Sequence, residues 1–263
     1  HRKYLQWEYK NMIVIDIGNT NILIGLFSKK KLNLSIRIPT NEKKLLETLN
    51  YYLNSKIIST SELDFNNCII SSVSSLPIAK ITSFFKKKKI NILNINLNNI
   101  PKKFNFNYKS TQLGADRIAN TFATMKYKQK NILIIDFGTA TTFDIILNNS
   151  YEGGLITPGI NISMDALVTS ASKLNSISIV KTKKIIGNDT KESMQSGFYW
   201  GYVSLINGTI NKIIKAKKVK PKIILTGGLA KIFRNEINYK NIYEPNLTLN
   251  GLYLIGILKY AKR

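Results

Sequence analysis

Two short apolar runs with the same continuation organise this chain. Ile13-Val14-Ile15 leads into Asp16-Ile17-Gly18-Asn19-Thr20, and Leu133-Ile134-Ile135 leads into Asp136-Phe137-Gly138-Thr139-Ala140. Both runs are rich in β-branched residues and too short for a helix, which predicts buried strands. After each Asp, Gly and small hydroxyl residue a second apolar run begins. It is Ile22-Leu23-Ile24-Gly25-Leu26-Phe27 in one copy and Phe143-Asp144-Ile145-Ile146-Leu147 in the other. The pattern is strand, tight turn, strand, and it occurs twice, about one domain's length of chain apart.

The remaining periodicity fills in two similar halves. Strands are expected at residues 12–17, 21–27, 31–38, 67–73 and 90–95, then at 131–136, 141–147, 152–156, 222–225 and 241–244. Helical spacing falls at 42–53, with Thr40 or Asn41 as N-cap, at 77–87 with a basic last turn, and at 113–127. Further helices are expected at 158–170, 191–216, after Gly228 to about Phe233, and at 249–260, while the polar stretch 96–109 reads as a loop. Three strands followed by alternating helix and strand, twice over, predict an α/β chain of two mixed-sheet domains. Their expected bounds are 12–125 and 126–263, with the ligand in the cleft between them. Met12 stands directly before the first strand, so residues 1–11 read as an upstream extension.

Composition narrows the function classes. Of 263 residues, 44% are hydrophobic, enough for proper cores, and no apolar run approaches the roughly 18 residues of a membrane span. The amino-terminal stretch lacks an apolar signal core, so a cytoplasmic protein with no membrane partner is expected. The one cysteine, Cys68, sits in the apolar run Cys68-Ile69-Ile70 and reads as a buried thiol. The only histidine is His1, which argues against His-based triads and His-ligated zinc. Acid–base chemistry then falls to carboxylates, Lys or Tyr. Lys and Arg number 39 against 15 Asp and Glu, a net charge of +24. Lys86-Lys87-Lys88-Lys89 and Lys215-Ala216-Lys217-Lys218 look like patches, but Lys, Asn and Ile are enriched throughout. The charge reads as a general drift in composition, nucleic acid is not an expected partner, and the positive field favours anionic substrates such as ATP.

The turns carry the candidate chemistry. Gly18 and Gly138 let backbone N–H groups approach a ligand, successive N–H groups make an anion-binding concavity, and Thr20 and Thr139 add hydroxyls. A carboxylate beside phosphate suits Mg²⁺, which takes one or two carboxylates and keeps most of its waters. Taken singly, each copy is equally an ordinary Asp-Gly hairpin; the repetition points to nucleotide. Thr226-Gly227-Gly228 reads as a helix-opening turn or as a surface on which adenine or ribose lies flat. Gly114-Ala115-Asp116-Arg117 reads as an exposed helix start, or as a general base beside a clamp for an acidic substrate. Gly153-Gly154-Leu155-Ile156-Thr157-Pro158-Gly159 reads as turn chemistry or as a loop closing over a substrate.

The duplicated Asp-x-Gly-x-Thr hairpins resemble the phosphate loops of the actin, sugar-kinase and heat-shock ATPase superfamily. That resemblance implies two ribonuclease-H-like domains with an interdomain nucleotide cleft. The fuller set resembles the type III pantothenate kinases over nearly the whole chain from Met12. It consists of Asp16-x-Gly18-Asn19-Thr20, Gly114-Ala115-Asp116-Arg117, Asp136-x-Gly138-Thr139-Ala140-Thr141-Thr142, Glu152-Gly153-Gly154 through Pro158-Gly159, Gly187-Asn188-Asp189-Thr190 and Thr226-Gly227-Gly228. The resemblance implies phosphorylation of the primary hydroxyl of pantothenate by ATP, the first step toward coenzyme A. It places the ATP loop on Asp16, Ile17, Gly18, Asn19, Thr20, Asn21, Ile22 and Leu23, with Thr139, and with Gly227 and Gly228 as further nucleotide candidates. It makes Asp116 the base and Asp136 the site of a monovalent cation, K⁺ or NH₄⁺, with Asp16 acting on Mg²⁺. Pantothenate contacts are implied for Gly114, Ala115, Asp116, Arg117 and Thr190, and for Tyr108. Here the spacer after Tyr108 has no Pro and is one residue shorter than the family's pattern. A homodimer is implied, with Thr190 reaching toward substrate bound largely by the other subunit. Two rival readings are a regulatory or nucleic-acid-binding protein on the same fold and a kinase for another small hydroxy acid.

Overall fold

The computed structural model of the chain describes residues 11–40, 42–54, 65–74, 78–108 and 112–260. Residues 1–10 of the expected extension, Asn41 as an N-cap, Pro77 as a helix start and the spacer 109–111 lie outside them. The chain forms two compact units. The first draws its described residues from His1–Phe104, Tyr108–Lys126 and Asn246–Arg263, the second from Asn105–Asn107 and Tyr127–Pro245.

The first unit is built on β1 (Met12–Ile17), β2 (Asn21–Ser28), β3 (Lys31–Pro39), β4 (Asn67–Ser72) and β5 (Asn91–Asn94), ordered β3-β2-β1-β4-β5. β1, β2 and β3 form antiparallel neighbours, and β4 and β5 run parallel to β1. Alternation decides which face each residue takes. Ile13, Ile15 and Ile17 of β1, with Ile22, Ile24 and Leu26 of β2, bury against Leu45 and Leu49 of α1 (Glu42–Asn54) and Ile81 and Phe85 of α2 (Ile78–Lys87). The carboxylate at the end of β1, Asp16, therefore projects from the other face. Cys68 lies within this core and burial pushes its thiol pKa well up, so it is an unreactive packing group.

The second unit repeats the arrangement with β7 (Asn131–Phe137), β8 (Ala140–Leu147), β9 (Ser150–Pro158), β10 (Lys222–Thr226) and β11 (Asn241–Tyr243). It adds β6 (Asn105–Phe106), giving the order β11-β10-β7-β8-β9-β6. The stretch 96–109, read as a loop, thus contains a two-residue strand, too short to leave any period in the sequence. Leu133, Ile135 and Phe137 bury against Tyr199, Tyr202 and Ile206 of the long helix α5 (Thr190–Lys217), which follows α4 (Ile160–Ser170). Asp136 again falls on the opposite face.

Helix α3 (Ala115–Ala123) is shorter than the expected 113–127, because its last turn tightens into a 3₁₀ turn at Thr124–Lys126. It is held by the closing helix Leu247–Tyr260, for which the chain returns to the first unit across the expected division at 125 and 126. A side chain at Gly251 would collide with the carbonyl oxygen of Ala119, so the two helices touch backbone to backbone. Thr248 donates to the Asn120 side chain at 2.8 Å, and Tyr253 stacks on Phe27 at 4.3 Å.

The second hairpin turn of each unit is of the mirror-image type, with φ of 48° and 65° at Lys29 and Lys30 and of 49° and 64° at Asn148 and Asn149. Asn tolerates the left-handed region, whereas Lys pays roughly 1 kcal/mol or more per residue there. The double replacement Lys29→Asn, Lys30→Gly is expected to stabilise the first unit by about 1 kcal/mol and to raise its thermal midpoint by about 2–4 °C without changing turnover. Calorimetry with a parallel rate measurement checks this.

Candidate functional site

In the first unit, the turn Gly18-Asn19-Thr20 is closed by the Gly18 N–H donating to the Asn21 carbonyl at 3.0 Å. Thr40, the residue after β3, braces it twice. Its N–H donates to the Thr20 carbonyl at 2.9 Å, and its hydroxyl to the Gly18 carbonyl at 2.9 Å. Asn19 and Thr20 are exposed, whereas Ile17 and Ile22 are fully buried. Of the expected ATP loop, those two residues offer a ligand only backbone. Asp16 pairs in register with Ser71 of the parallel neighbour β4, and the Ser71 hydroxyl donates to Asp16 Oδ1 at 2.7 Å. That bond fixes the carboxylate at the mouth of the turn.

In the second unit, Gly138 N–H donates to the Ala140 carbonyl at 3.1 Å, and Gly159 N–H to the Thr139 carbonyl at 3.1 Å. Gly159 thus does what Thr40 does, from the same place after a third strand. Asp136 pairs with Thr226 across β7 and β10, as Asp16 pairs with Ser71. Both units therefore carry an Asp at a strand end, a hydroxyl residue beside it on the parallel strand, and a glycine turn clamped from behind.

Two expectations change here. The 153–159 glycine segment does not form a loop over a substrate: residues up to Pro158 continue β9, and a Cβ at Gly159 would sit 2.8 Å from the Gly138 carbonyl oxygen. Gly227 has φ of 90° and lies so close to Phe137 that an added Cβ would meet its backbone at 2.5 Å. Its missing side chain serves packing beneath the turn, while the exposed Gly228 keeps an open face. The helix expected after Gly228 to about Phe233 is present as α6 (Ala230–Phe233), a single turn followed by 3₁₀ at Arg234–Glu236.

Asp116 lies in the first turn of α3, after Gly114 as N-cap. Its carboxylate folds back to accept the Arg117 N–H at 2.8 Å, and a Cβ at Gly114 would meet Oδ1 at 2.5 Å. Burial pushes its pKa up, while the Arg117 N–H and guanidinium pull it down. Arg117 itself is buried. Tyr108 is exposed. A carboxyl with raised pKa, held beside a guanidinium, is equipped to accept a proton.

Thr190 begins the helix α5 (Thr190–Lys217) in the second unit and lines a cavity of about 670 Å³ with Leu167, Asn188, Ser193 and Met194. Sequence reasoning missed the capping box there. Asp189 accepts the Glu192 N–H at 2.7 Å, and Glu192 accepts the Asn188 N–H at 3.0 Å. These carboxylates already answer the helix dipole, which leaves little general attraction for anions at this helix start. Thr40 and Ser71 were missed as well, since nothing local marks a residue that acts through register. Among the described residues no three His, Cys, Asp or Glu side chains cluster as a metal site.

The family model for type III pantothenate kinase matches residues 12–212. A type III pantothenate kinase of Pelagibacter ubique is 37% identical over 245 residues, covering 92% of this chain and 96% of that protein. A Campylobacter jejuni structure described as a Baf family transcriptional activator superposes with TM-score 0.57 at 22% identity, covering 94% of this chain and 97% of that one. A Listeria monocytogenes structure described as an N-acetylmannosamine kinase gives 0.50 at 11% identity, covering 92% and 97%. The two structural likenesses speak for the fold alone.

Proposed function

This chain belongs to the type III pantothenate kinase family, and from that premise we propose how its residues perform ATP-dependent phosphorylation of pantothenate. The observation that carries the reading is the family match across most of the chain, on a fold that repeats the Asp-and-glycine turn in both units. The primary hydroxyl of pantothenate attacks the γ-phosphorus of ATP. The new O–P bond forms as the bond to the β-phosphate oxygen breaks, ADP leaves, and the hydroxyl proton passes to the Asp116 carboxylate. Such transfers rest on positioning and charge neutralisation. The residues fit the roles implied for them. The turn N–H groups of Asn19 and Thr20 would meet phosphate oxygens, as would the Thr139 hydroxyl, and Asp16, oriented by Ser71, would hold Mg²⁺ with its waters. Bound Mg²⁺ supplies charge neutralisation on the phosphates. Asp136 would hold the monovalent cation, K⁺ or NH₄⁺, an oxygen-ligated ion suited to a carboxylate. Gly114, Ala115, Arg117, Tyr108 and Thr190 would contact pantothenate, with cytoplasmic ATP as the phosphoryl source.

A homodimer is part of the same proposal. Gly197 and Gly201 are exposed on α5, and nothing among the described residues lies within 4 Å of a Cβ built there or at Gly208, so these glycines make no packing contact with the described residues. Ile162, Leu167, Ile185 and Ile186 leave apolar surface open in the same unit. Thr190→Val is expected to raise KM for pantothenate severalfold and leave KM for ATP unchanged. Mixing inactive Asp116→Asn with Thr190→Val subunits should restore one intact site per mixed dimer; no recovery despite subunit exchange would mean each subunit builds its site alone. Substrate choice is tested with a panel of small hydroxy acids. Pantothenate should give the highest kcat/KM by far, and a better acceptor would reassign the kinase.

A further inference from the structure

The chain first enters the second unit for three residues, Asn105–Asn107, directly before Tyr108. What holds these three is unusually well furnished. β6 runs parallel to the start of β9, with Asn105 paired to Ser150 and Phe106 to Tyr151. The Asn105 N–H donates to the Asn149 carbonyl at 3.1 Å and the Asn107 N–H to the Tyr151 carbonyl at 3.0 Å. Beneath the strand, the Phe106 ring lies 5.5 Å from that of Tyr151, which is fully buried. Tyr151 is fixed in turn: its hydroxyl donates at 2.7 Å to Asp144, a carboxylate with no solvent exposure.

The outer side is polar. The Asn107 amide donates to Ser150 Oγ at 3.0 Å and to Glu152 Oε1 at 3.1 Å, and Lys217 Nζ meets Glu152 Oε2 at 3.2 Å. Hydrogen bonds from Ser150, Lys217 and Asn107 hold the Glu152 carboxyl below its ordinary range. One carboxylate thus joins three segments: the end of β6, the start of β9 and the last turn of α5. A two-residue strand buries too little to stand by itself, so its place depends on these contacts.

We propose that Glu152 and Asn107 are positioning residues for substrate: they clasp β6 to β9 and so set where the adjoining Tyr108 stands for pantothenate. This rests on the reading of Tyr108 as a pantothenate contact. The clasp touches neither ATP residues nor Asp116, so its loss should appear in pantothenate recognition alone.

The test compares Glu152→Ala, Asn107→Ala and their double variant, with Tyr108→Ala as reference. Each single change is expected to raise KM for pantothenate roughly threefold to tenfold, the range of one ordinary hydrogen bond. The double variant should be no worse than the more severe single one, and kcat and KM for ATP should stay within about twofold. Glu152→Gln keeps the acceptor for Asn107 and should recover most of the loss. Unchanged pantothenate KM in both single variants, with Tyr108→Ala impaired, would overturn the clasp and leave the Tyr108 contact standing. An unimpaired Tyr108→Ala would remove the contact and the clasp's role with it. A lowered thermal midpoint with kcat and both KM values drifting together would reduce Glu152 to a structural brace and also overturn the proposal.

Discussion

Replacing Asp116 with Asn is expected to lower kcat by a factor on the order of 10² or more while ATP still binds with nearly its full affinity. The amide keeps the shape that accepts the Arg117 N–H but cannot take a proton from the attacking hydroxyl. Titration with ATP, alongside initial rates, separates the two effects. The pH dependence follows from burial, which raises the Asp116 pKa. With Asp116 as the proposed base, the active form is the carboxylate, so the acid limb of kcat/KM should lie above the range of an ordinary carboxylate and vanish from the residual rate of the Asn variant. The stability effect runs the other way. Because the folded state holds this proton more tightly than the unfolded chain, stability falls as pH rises from the unfolded pKa through the folded one. Asp116→Asn should therefore melt higher than the parent at neutral pH, and that advantage should disappear below the unfolded carboxylate pKa. A variant that turns over at nearly the parent rate would take the base assignment from Asp116.

The second large effect is expected at Gly251. Alanine is the better helix former by about 1 kcal/mol, which alone would make Gly251→Ala stabilising. Here the added methyl runs into the Ala119 carbonyl, and backbone cannot swing aside as a side chain can. Overpacking of this kind costs about 1–3 kcal/mol, and the net sign should be destabilising. The helix displaced, α3, carries Asp116 and Arg117 in its first turn. Gly251→Ala is thus expected to lower the thermal midpoint by several degrees and kcat by about tenfold. An Ala variant as stable and active as the parent would show that the closing helix has room to shift.

What could be read from the sequence divides along physical lines. Strands such as Ile13-Val14-Ile15 and Leu133-Ile134-Ile135 announce themselves because both faces are buried, and the Asp-Gly turns because few residues make them. Registers were not readable. Ser71 beside Asp16 and Thr226 beside Asp136 meet only through parallel pairing of strands far apart in sequence. The clamps are of the same kind: Thr40 and Gly159 share a role but no residue type. β6 escaped because two residues carry no period, and the return of the closing helix to the first unit because contact between Gly251 and Ala119 leaves no local mark. Asp189-Thr190-Lys191-Glu192, in contrast, is a capping box with a local signature, and it was missed all the same. Its consequence, a helix start already supplied with carboxylates, changes how Thr190 is to be tested.

The central claim is that ATP is spent only on pantothenate. The direct measurement incubates the protein with ATP, Mg²⁺ and K⁺, with and without pantothenate, and follows nucleotide and product together by phosphorus NMR. The account predicts ADP only when pantothenate is present, matched mole for mole by phosphate on its primary hydroxyl. ADP formed at the same rate without pantothenate, or no phosphorylated pantothenate in a folded, ATP-binding protein, would contradict it.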